Sequence, residues 1–408
     1  MSARSTRRRP ALRGVAVRLA AMVAGTALAA ALIVGLQVPL ADQPTTSHLH
    51  RAALHLVASS APPLAWPIIG SAALVIPALG ISQSWHDAVA PIASLTKMMT
   101  ALVTLAQLPL GPSVTGPCLR VTPSDVSTYA LMKVTGQSVV AVAAGESLCE
   151  RDLLGGLLVH SANNYAFLLA RLVSGQVGSF VALMNETARA LGLSHTHYVE
   201  PSGYDQGSVS TALEQARLAQ VVMRSSLLRS IVRMTSITLP VAGTVGSFTP
   251  YVGIENVIGV KSGRTSAAGG CDVLAMTFRQ GSSTHVLYAV VLGQRGGNLL
   301  GPAGAAALAL ADSAVSNQQV QVFTQGQRVG TIGWGRDVVP VGLARAHRVW
   351  WWGVQHRLLV TWRVARFTTT VHRGQLVGWL DVAGTSMQRF ALVAEGTASP
   401  PSLWQRLR

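Results

Sequence analysis

The stretch IASLTKMM sets a serine, Ser94, three residues ahead of a lysine, Lys97. The chain carries 32 Lys plus Arg, yet only three of them are lysines: Lys97, Lys133 and Lys261. Arginine stays protonated, whereas lysine gives up its proton when buried or crowded by another cation. A chain this sparing with lysine is expected to keep some of its few where a neutral amine is needed. A serine hydroxyl is a weak nucleophile until a nearby base takes its proton. If Ser94 opens a helix, Lys97 shares its face one turn on, and the hydroxyl sits at the positive end of the helix dipole. The lysine becomes a base only when its pKa falls from about 10.4 towards neutrality, at roughly 1.4 kcal/mol per unit. Burial and a second cation can supply that fall.

The candidate second cation is Lys261, in GVKSGRTS, at the end of an apolar strand. Ser262 adds a hydroxyl beside it, and Gly263 lets a ligand backbone lie close to the strand. Between these two places, VHSANNYA offers Ser161 and Asn163 in a short loop between helices, a hydroxyl and an amide able to relay a proton and hold a carbonyl. Taken singly, S-x-x-K, S-x-N and K-S-G are weak signals; in this order, within a matching pattern of elements, they form a known serine–lysine set. Lys133 matches none of them and reads as a surface lysine.

The elements that must position these residues are legible. SAALVIPALGIS reads as a strand, a Pro/Gly turn and a return strand. PIASLTKMMTALVTLAQL carries Leu95, Met98, Met99, Leu102 and Leu105 at helical spacing. Three further apolar helical stretches follow, the last of them STALEQARLAQVVMRSSLLRSIVRM. Then come the strand candidates VIGVKSG, CDVLAMTF and HVLYAVVLG, and a closing helix, GPAGAAALALADSAV. The pattern is α/β (α+β), with helices packed on an antiparallel sheet. After Ser316 the chain turns all-β, and GQRVGTI is echoed by GQLVGWL; this predicts a small β-sandwich-like domain. The expected layout is an anchor or signal segment at 1–42, a linker at 43–66, a catalytic domain at 67–316 and a β-rich domain at 317–408.

A basic amino terminus precedes LAAMVAGTALAAALIVGL, residues 19–36, an uncharged run just long enough to span a bilayer. The positive charge before it predicts a cytoplasmic amino end and an exported remainder. The reading favours an uncleaved anchor over a cleaved signal, and hence a location at the outer face of the cell membrane. The net charge of +16 suits anionic partners such as lipid headgroups or cell wall. No nucleic-acid motif accompanies the scattered basic residues, so nucleic acid is not an expected partner. Cys118 and Cys149 sit in short strand-like stretches that could lie side by side, as a disulfide or as two thiols, while Cys271 reads as an inert buried thiol. His48, His50 and His55 lie in the linker without acidic partners, and His195 and His197 beside a turn, so no metal site is expected. G-x-S-x-G and H-E-x-x-H are absent, which argues against an α/β-hydrolase or a zinc protease of those types.

With these motifs in place, the chain resembles the D-alanyl-D-alanine carboxypeptidases, the low-molecular-mass penicillin-binding proteins. The stretch 184–219 adds the landmarks Met184–Asn185, Leu191–Gly192, Pro201–Ser202–Gly203 and Ser210–Thr211–Ala212. The β-rich segment resembles that family's second domain, so the likeness runs from about Ser71 to Gly396. It implies that Ser94 is acylated by the penultimate D-alanine of a peptidoglycan stem peptide, with Lys97 as general base. Ser161 would relay a proton to the leaving D-alanine, and Asn163 would orient the substrate amide. Lys261 and Ser262 would bind the terminal carboxylate, Lys261 also holding Lys97 electrostatically. The backbone N–H groups of Ser94 and Arg264 would form the oxyanion hole, and the K-S-G stretch continues into it through Gly263 as a substrate-binding residue. No metal or organic cofactor is implied, and β-lactam antibiotics would be covalent inhibitors.

Two departures stand out. Ser262 replaces the commoner threonine but keeps the hydroxyl, and Arg264 stands where another residue, often histidine, follows the glycine. The rivals are a β-lactamase, which needs a glutamate-directed water that only Glu186 or Glu200 offers here, a DD-endopeptidase with a wider groove, and a non-catalytic wall-binding protein.

Overall fold

The structure is a computed structural model that describes residues 44–54, 56, 63–111, 113–254, 256–352, 358–384 and 386–402. The apolar run at 19–36, and with it the expected anchor, lies outside the described residues, as does the tail from 403. Among the described residues, no single helix is long and apolar enough to cross a membrane.

The K-S-G residues lie on a five-stranded antiparallel sheet in the spatial order Val257–Thr265, Gly269–Gln280, Ser283–Gln294, Ser71–Ile76, Ile81–Trp85. Side chains alternate across a strand. In Gly269–Gln280, Cys271, Val273 and Ala275 join a core shared with the helices of residues 97–231. Leu274 and Met276 join a second core under the closing helix, Leu300–Ser316. Both faces are therefore covered, which is why these strands read as nearly unbroken apolar runs.

The helix Lys97–Gln107 runs through the larger core, with Met98, Met99 and Ala101 fully buried, and packs against Glu150–Leu158, Asn163–Ser174, Val177–Ala190 and Ala212–Val222. The stretch expected as one helix from Ser210 is two, Ala212–Val222 and Ser226–Ile231. The second starts afresh because the Ser225 hydroxyl accepts from the Leu228 N–H at 3.3 Å. Cys118–Arg120 pairs with Ser147–Cys149 so that Cys118 faces Cys149, and the two form a disulfide; Cys271 is a buried free thiol.

The carboxyl-terminal β-unit is built on a six-stranded sheet. Its outer strands meet: the Trp362 indole N–H donates to Ser47 Oγ at 3.2 Å, and the Thr45 N–H to the Phe367 carbonyl at 3.0 Å, so the sheet curls into a barrel-like form. The echoed heptapeptides are structural equivalents. Gln327 Oε1 accepts from the Thr324 N–H at 3.2 Å, just as Gln375 Oε1 accepts from the His372 N–H at 2.9 Å, and each following strand shifts register at its glycine, Gly330 or Gly378.

Part of the stretch expected as linker belongs to this unit. Thr46–Leu49 is a strand paired with Arg328–Trp334, and Leu54 is fully buried in the unit's core. The Thr/Ser-rich composition reads as a linker, but an edge strand needs only extended backbone and a partner, here 287 residues away at Thr46 and Gly333. The ribbon Gln318–Phe323/His347–Trp352 ties the β-unit to the other half. Trp352 is buried against the closing helix, and its indole N–H donates to the Ala314 carbonyl at 2.8 Å.

Candidate active site

Ser94 does not open the α-helix. It lies in a 3-10 turn, Ala93–Thr96, that runs directly into the helix starting at Lys97. In a 3-10 turn residues i and i+3 eclipse, so the two side chains still face the same way. Lys97 Nζ lies 2.7 Å from Ser94 Oγ, 2.6 Å from Asn163 Oδ1 and 2.7 Å from the Ser202 carbonyl. The lysine is completely buried. That burial holds its pKa well below the ordinary lysine range; the charge of Lys261 pushes it down further, and Glu200 opposes both.

Two of the three Lys97 partners, an amide oxygen and a backbone carbonyl, can only accept. A neutral amine has two N–H groups for them and one lone pair left, which then points at the only partner able to donate, the Ser94 hydroxyl. The Asn163 amide is oriented to accept from the lysine, because its Nδ2 donates to Gln137 Oε1 at 2.7 Å and leaves Oδ1 for Lys97. Its loop is pinned by the Asn163 N–H to the Ser138 carbonyl at 2.7 Å and the Ala162 N–H to the Gly156 carbonyl at 3.0 Å. The Asn163 amide thus links Lys97 to Gln137.

A fourth stretch, Glu200–Gly203, completes the lysine's surroundings. Thr100 Oγ1 donates to the Pro201 carbonyl at 2.6 Å, and the Ser202 N–H to Glu200 Oε2 at 2.7 Å. Gly203 has φ +79° and lies so close to the Ala93 carbonyl that a β-carbon would collide with it. These bonds clamp the turn onto the Ser94–Lys97 segment. Pro201–Ser202–Gly203 was visible as a landmark of the resemblance, but sequence alone assigned it no role.

The K-S-G residues lie on Val257–Thr265, the edge strand of the sheet, so one side of its backbone has no strand neighbour. That side meets the Ser94 turn: a β-carbon on Gly263 would come within 2.5 Å of the Ser94 nitrogen. Lys261 is fully buried, and its Nζ donates to the Ser262 carbonyl at 2.7 Å. Burial brings its pKa down to about 7, opposed by the charge of Asp272. The Ser262 hydroxyl donates to the Phe248 carbonyl at 2.8 Å, so it must turn to serve a ligand carboxylate.

Ser94, Ser161, Ser262, Gly263 and Arg264 line one cavity of about 250 Å³. The structure thus brings together every site residue expected from the sequence, with Lys97, Asn163 and Lys261 behind the wall. The same cavity is lined by Ser138, Phe248, Asn298 and Leu300, which sequence reading missed because they come from three loops and the start of the closing helix, none of which carries a motif. Asp272, also missed, had a signal: it is the lone acid in the apolar run CDVLAMTF. On the far side of Arg264, between Tyr204 and Ser266, lies a second cavity of about 440 Å³.

The family model described as D-alanyl-D-alanine carboxypeptidase matches residues 81–296, more than half of the chain. The chain belongs to this family. Among its relatives, a D-alanyl-D-alanine endopeptidase of Pseudomonas aeruginosa is 39% identical over 133 residues, 32% of this chain and 39% of that protein. An endopeptidase of Escherichia coli is 31% identical over 204 residues, 48% of this chain and 62% of that protein. A D-alanyl-D-alanine carboxypeptidase of Bacillus subtilis is 29% identical over 145 residues, 35% of each. The matches thus span less than two thirds of these relatives' own lengths.

Among solved structures, penicillin-binding protein 5 of Haemophilus influenzae superimposes with a TM-score of 0.58 at 21% identity, covering 83% of this chain and 99% of that one. A D-alanyl-D-alanine carboxypeptidase of Francisella tularensis gives 0.58 at 18% identity, covering 86% and 98%. These likenesses establish the fold of the D-alanyl-D-alanine carboxypeptidase family, including its β-rich second unit.

Proposed function

We propose that this chain is a serine D-alanyl-D-alanine peptidase that forms an acyl-enzyme on Ser94 and removes the terminal D-alanine from peptidoglycan stem peptides. The observation that carries this reading is the bonding of Lys97, which leaves a neutral lysine one lone pair and aims it at the Ser94 hydroxyl.

Lys97 takes the hydroxyl proton as Ser94 Oγ bonds to the carbonyl carbon of the penultimate D-alanine. The charge that develops on the carbonyl oxygen is met by the backbone N–H groups of Ser94 and Arg264. Collapse breaks the C–N bond, and the proton passes through Ser161 to the departing amine. Lys261 and the Ser262 hydroxyl hold the terminal carboxylate. Water then attacks the ester, gives its proton to Lys97 and frees Ser94.

Cleavage of D-alanyl crosslinks is a second reading, favoured by the two endopeptidases among the relatives. The deciding experiment incubates the enzyme and a Ser94→Ala control with a pentapeptide monomer and with a crosslinked dimer, followed by mass spectrometry of the products. Loss of one D-alanine from the monomer is expected. Cleavage confined to the dimer would replace carboxypeptidase by endopeptidase, and an inert enzyme that also forms no benzylpenicillin adduct on Ser94 would overturn both. An adduct that turns over within seconds would favour a β-lactamase.

This reading carries a location at the outer face of the membrane, held by residues 19–36; the Cys118–Cys149 disulfide fits an oxidising compartment. Release from membranes by alkaline carbonate would argue against the anchor.

A further inference from the structure

The second cavity, of about 440 Å³, has no part in the reaction just described. It adjoins the first at Arg264, which lines both. Thr135, Tyr204, Thr265, Ser266 and Leu299 stand around it, and Arg264 is the one charged residue among those that line it. The arginine is exposed, and among the described residues its side chain has no hydrogen bond or ion pair. A second arginine reaches the same rim, where Arg295 Nη1 donates to the Ser266 carbonyl at 3.3 Å. The acid nearest in sequence to the lining residues, Asp205, does not itself line the cavity, and its Oδ1 accepts from the Gly207 N–H at 2.8 Å. The Tyr204 and Ser266 hydroxyls have no partner among the described residues. Thr265 Oγ1 accepts from the Ala268 N–H at 3.0 Å, which leaves its own proton to donate. A basic concavity rich in donors suits a carboxylate, the group that a guanidinium binds with two parallel hydrogen bonds.

The order of residues along the edge strand says which part of a substrate comes here. Ser262 lines the first cavity, Gly263 lies against Ser94, and Arg264, Thr265 and Ser266 lead on into the second cavity. A peptide that acylates Ser94 with its terminal carboxylate at Ser262 therefore sends its earlier residues past Arg264. An extended chain advances about 3.3 Å per residue. The residue just before the acylating alanine, the third of the stem, is thus the first to reach the second cavity.

We propose that the second cavity is an anion-selecting subsite for the third residue of the stem peptide, where Arg264 pairs with a free side-chain carboxylate. This rests on the function proposed above and narrows its substrate class. The preferred peptides carry a diamino dicarboxylic acid with its side-chain carboxyl free at that position. The same acid in amidated form, or a lysine, leaves the guanidinium without its partner.

The test uses pentapeptides that differ only in the third residue: diaminopimelate, diaminopimelate amidated at its side-chain carboxyl, and L-lysine. The second residue is amidated in all of them, so that no other side-chain carboxylate competes. Release of D-alanine is measured with the full-length wild type, Arg264→Gln and Arg264→Glu. The quantity read is the ratio of kcat/KM between peptides within one enzyme, so a loss common to all peptides does not enter. Wild type is expected to favour the free carboxylate over its amide by about tenfold, chiefly through KM, as a charge-assisted pair implies. Arg264→Gln should lose most of that preference, and Arg264→Glu should reverse it towards the lysine peptide. If neither variant folds, Ser266→Asp decides: an acid added to the rim should shrink the preference by about threefold, on the scale of a solvent-exposed charge pair, and an unchanged ratio overturns the proposal. Equal turnover of the peptides by wild type, or a preference that Arg264→Gln keeps, would overturn the subsite and leave the peptidase reading standing. A wild type that releases no D-alanine and forms no benzylpenicillin adduct on Ser94 would refute both.

Discussion

Lys97 and Ser202 are 105 positions apart in the chain, yet the lysine Nζ lies 2.7 Å from the serine's backbone carbonyl. That bond, with the one to Asn163, leaves the lysine a single lone pair and one partner to receive it. Replacing Lys97 by arginine installs a cation that can donate but cannot act as a base. Lys97→Arg is expected to fold normally and to lose about 10²–10⁴-fold in the second-order rate of Ser94 acylation, the usual worth of a general base. A variant that keeps a tenth of the wild-type rate would rule the lysine out as the base.

The pH profile follows from the same pair of lysines. Lys97 is active when neutral, and its pKa is held well below the ordinary value by burial and by Lys261, so acylation should rise with pH through a midpoint far below 10.5. Lys261 is useful when charged, and burial has brought it to about 7, so binding of a carboxylate-bearing substrate should weaken as pH rises through that region. The expected kcat/KM profile is a bell whose basic limb belongs to Lys261. The limbs report the coupled pair, and a profile flat from pH 5 to 9 would contradict this assignment.

Gly203 holds the Ser202 carbonyl in place through a backbone conformation that side chains resist. Its φ is +79°, and the Ala93 carbonyl and Thr96 Oγ1 occupy the space a β-carbon needs. Gly203→Ala should lower unfolding free energy by about 1–3 kcal/mol from backbone strain alone. It should also slow acylation, because the turn that holds Lys97 must shift. Urea denaturation and penicillin labelling test the two effects separately.

Glu150 gives stability its own pH dependence. It is fully buried, with no partner for either oxygen among the described residues, and burial raises its pKa from 4.5 to about 7, opposed by Arg151. The folded state therefore binds this proton more tightly than the unfolded state. The resulting stability is complete below about 4.5 and is lost as pH rises through 7. Glu150→Gln should match wild type near pH 4 and gain on it by about 2–3 kcal/mol by pH 8, on the scale of 1.36 kcal/mol per unit. Melting curves across that range are the check; a difference independent of pH would sink the idea.

The disulfide links Cys118 to Cys149 across 31 residues. In the chain-entropy picture a loop of that length is worth about 3–4 kcal/mol. Reduction, or the double change to serine, should lower the melting temperature while leaving the acylation rate of the folded protein near wild type. No change in melting would place the stabilisation elsewhere.

The sequence by itself marked the candidate site and most of the elements. The serine, the lysines and the amide were identifiable because residue type limits reactivity, and the sheet and helices because apolar periodicity is a local property. The placing of Ser94 in a 3-10 turn was not legible, since one turn of either helix has nearly the same pattern. The break at Ser225 was obscured because apolar residues continue on both sides of it.

Tertiary structure alone decided which group completes each site. The Ser202 carbonyl, the Gln137 amide and the Phe248 carbonyl take part through backbone or neutral atoms that any sequence could supply, so no residue type marks them. The strand Thr46–Leu49 found its partner in Arg328–Trp334 by pairing across nearly the whole chain, where composition suggested only a linker. Lys261 and Asp272 were both in plain view as charges in apolar runs. Only the antiparallel register of two adjacent strands sets Val273 across from Lys261 and Asp272 across from Ser262, because which distant residues become neighbours depends on how strands align, not on what either strand contains.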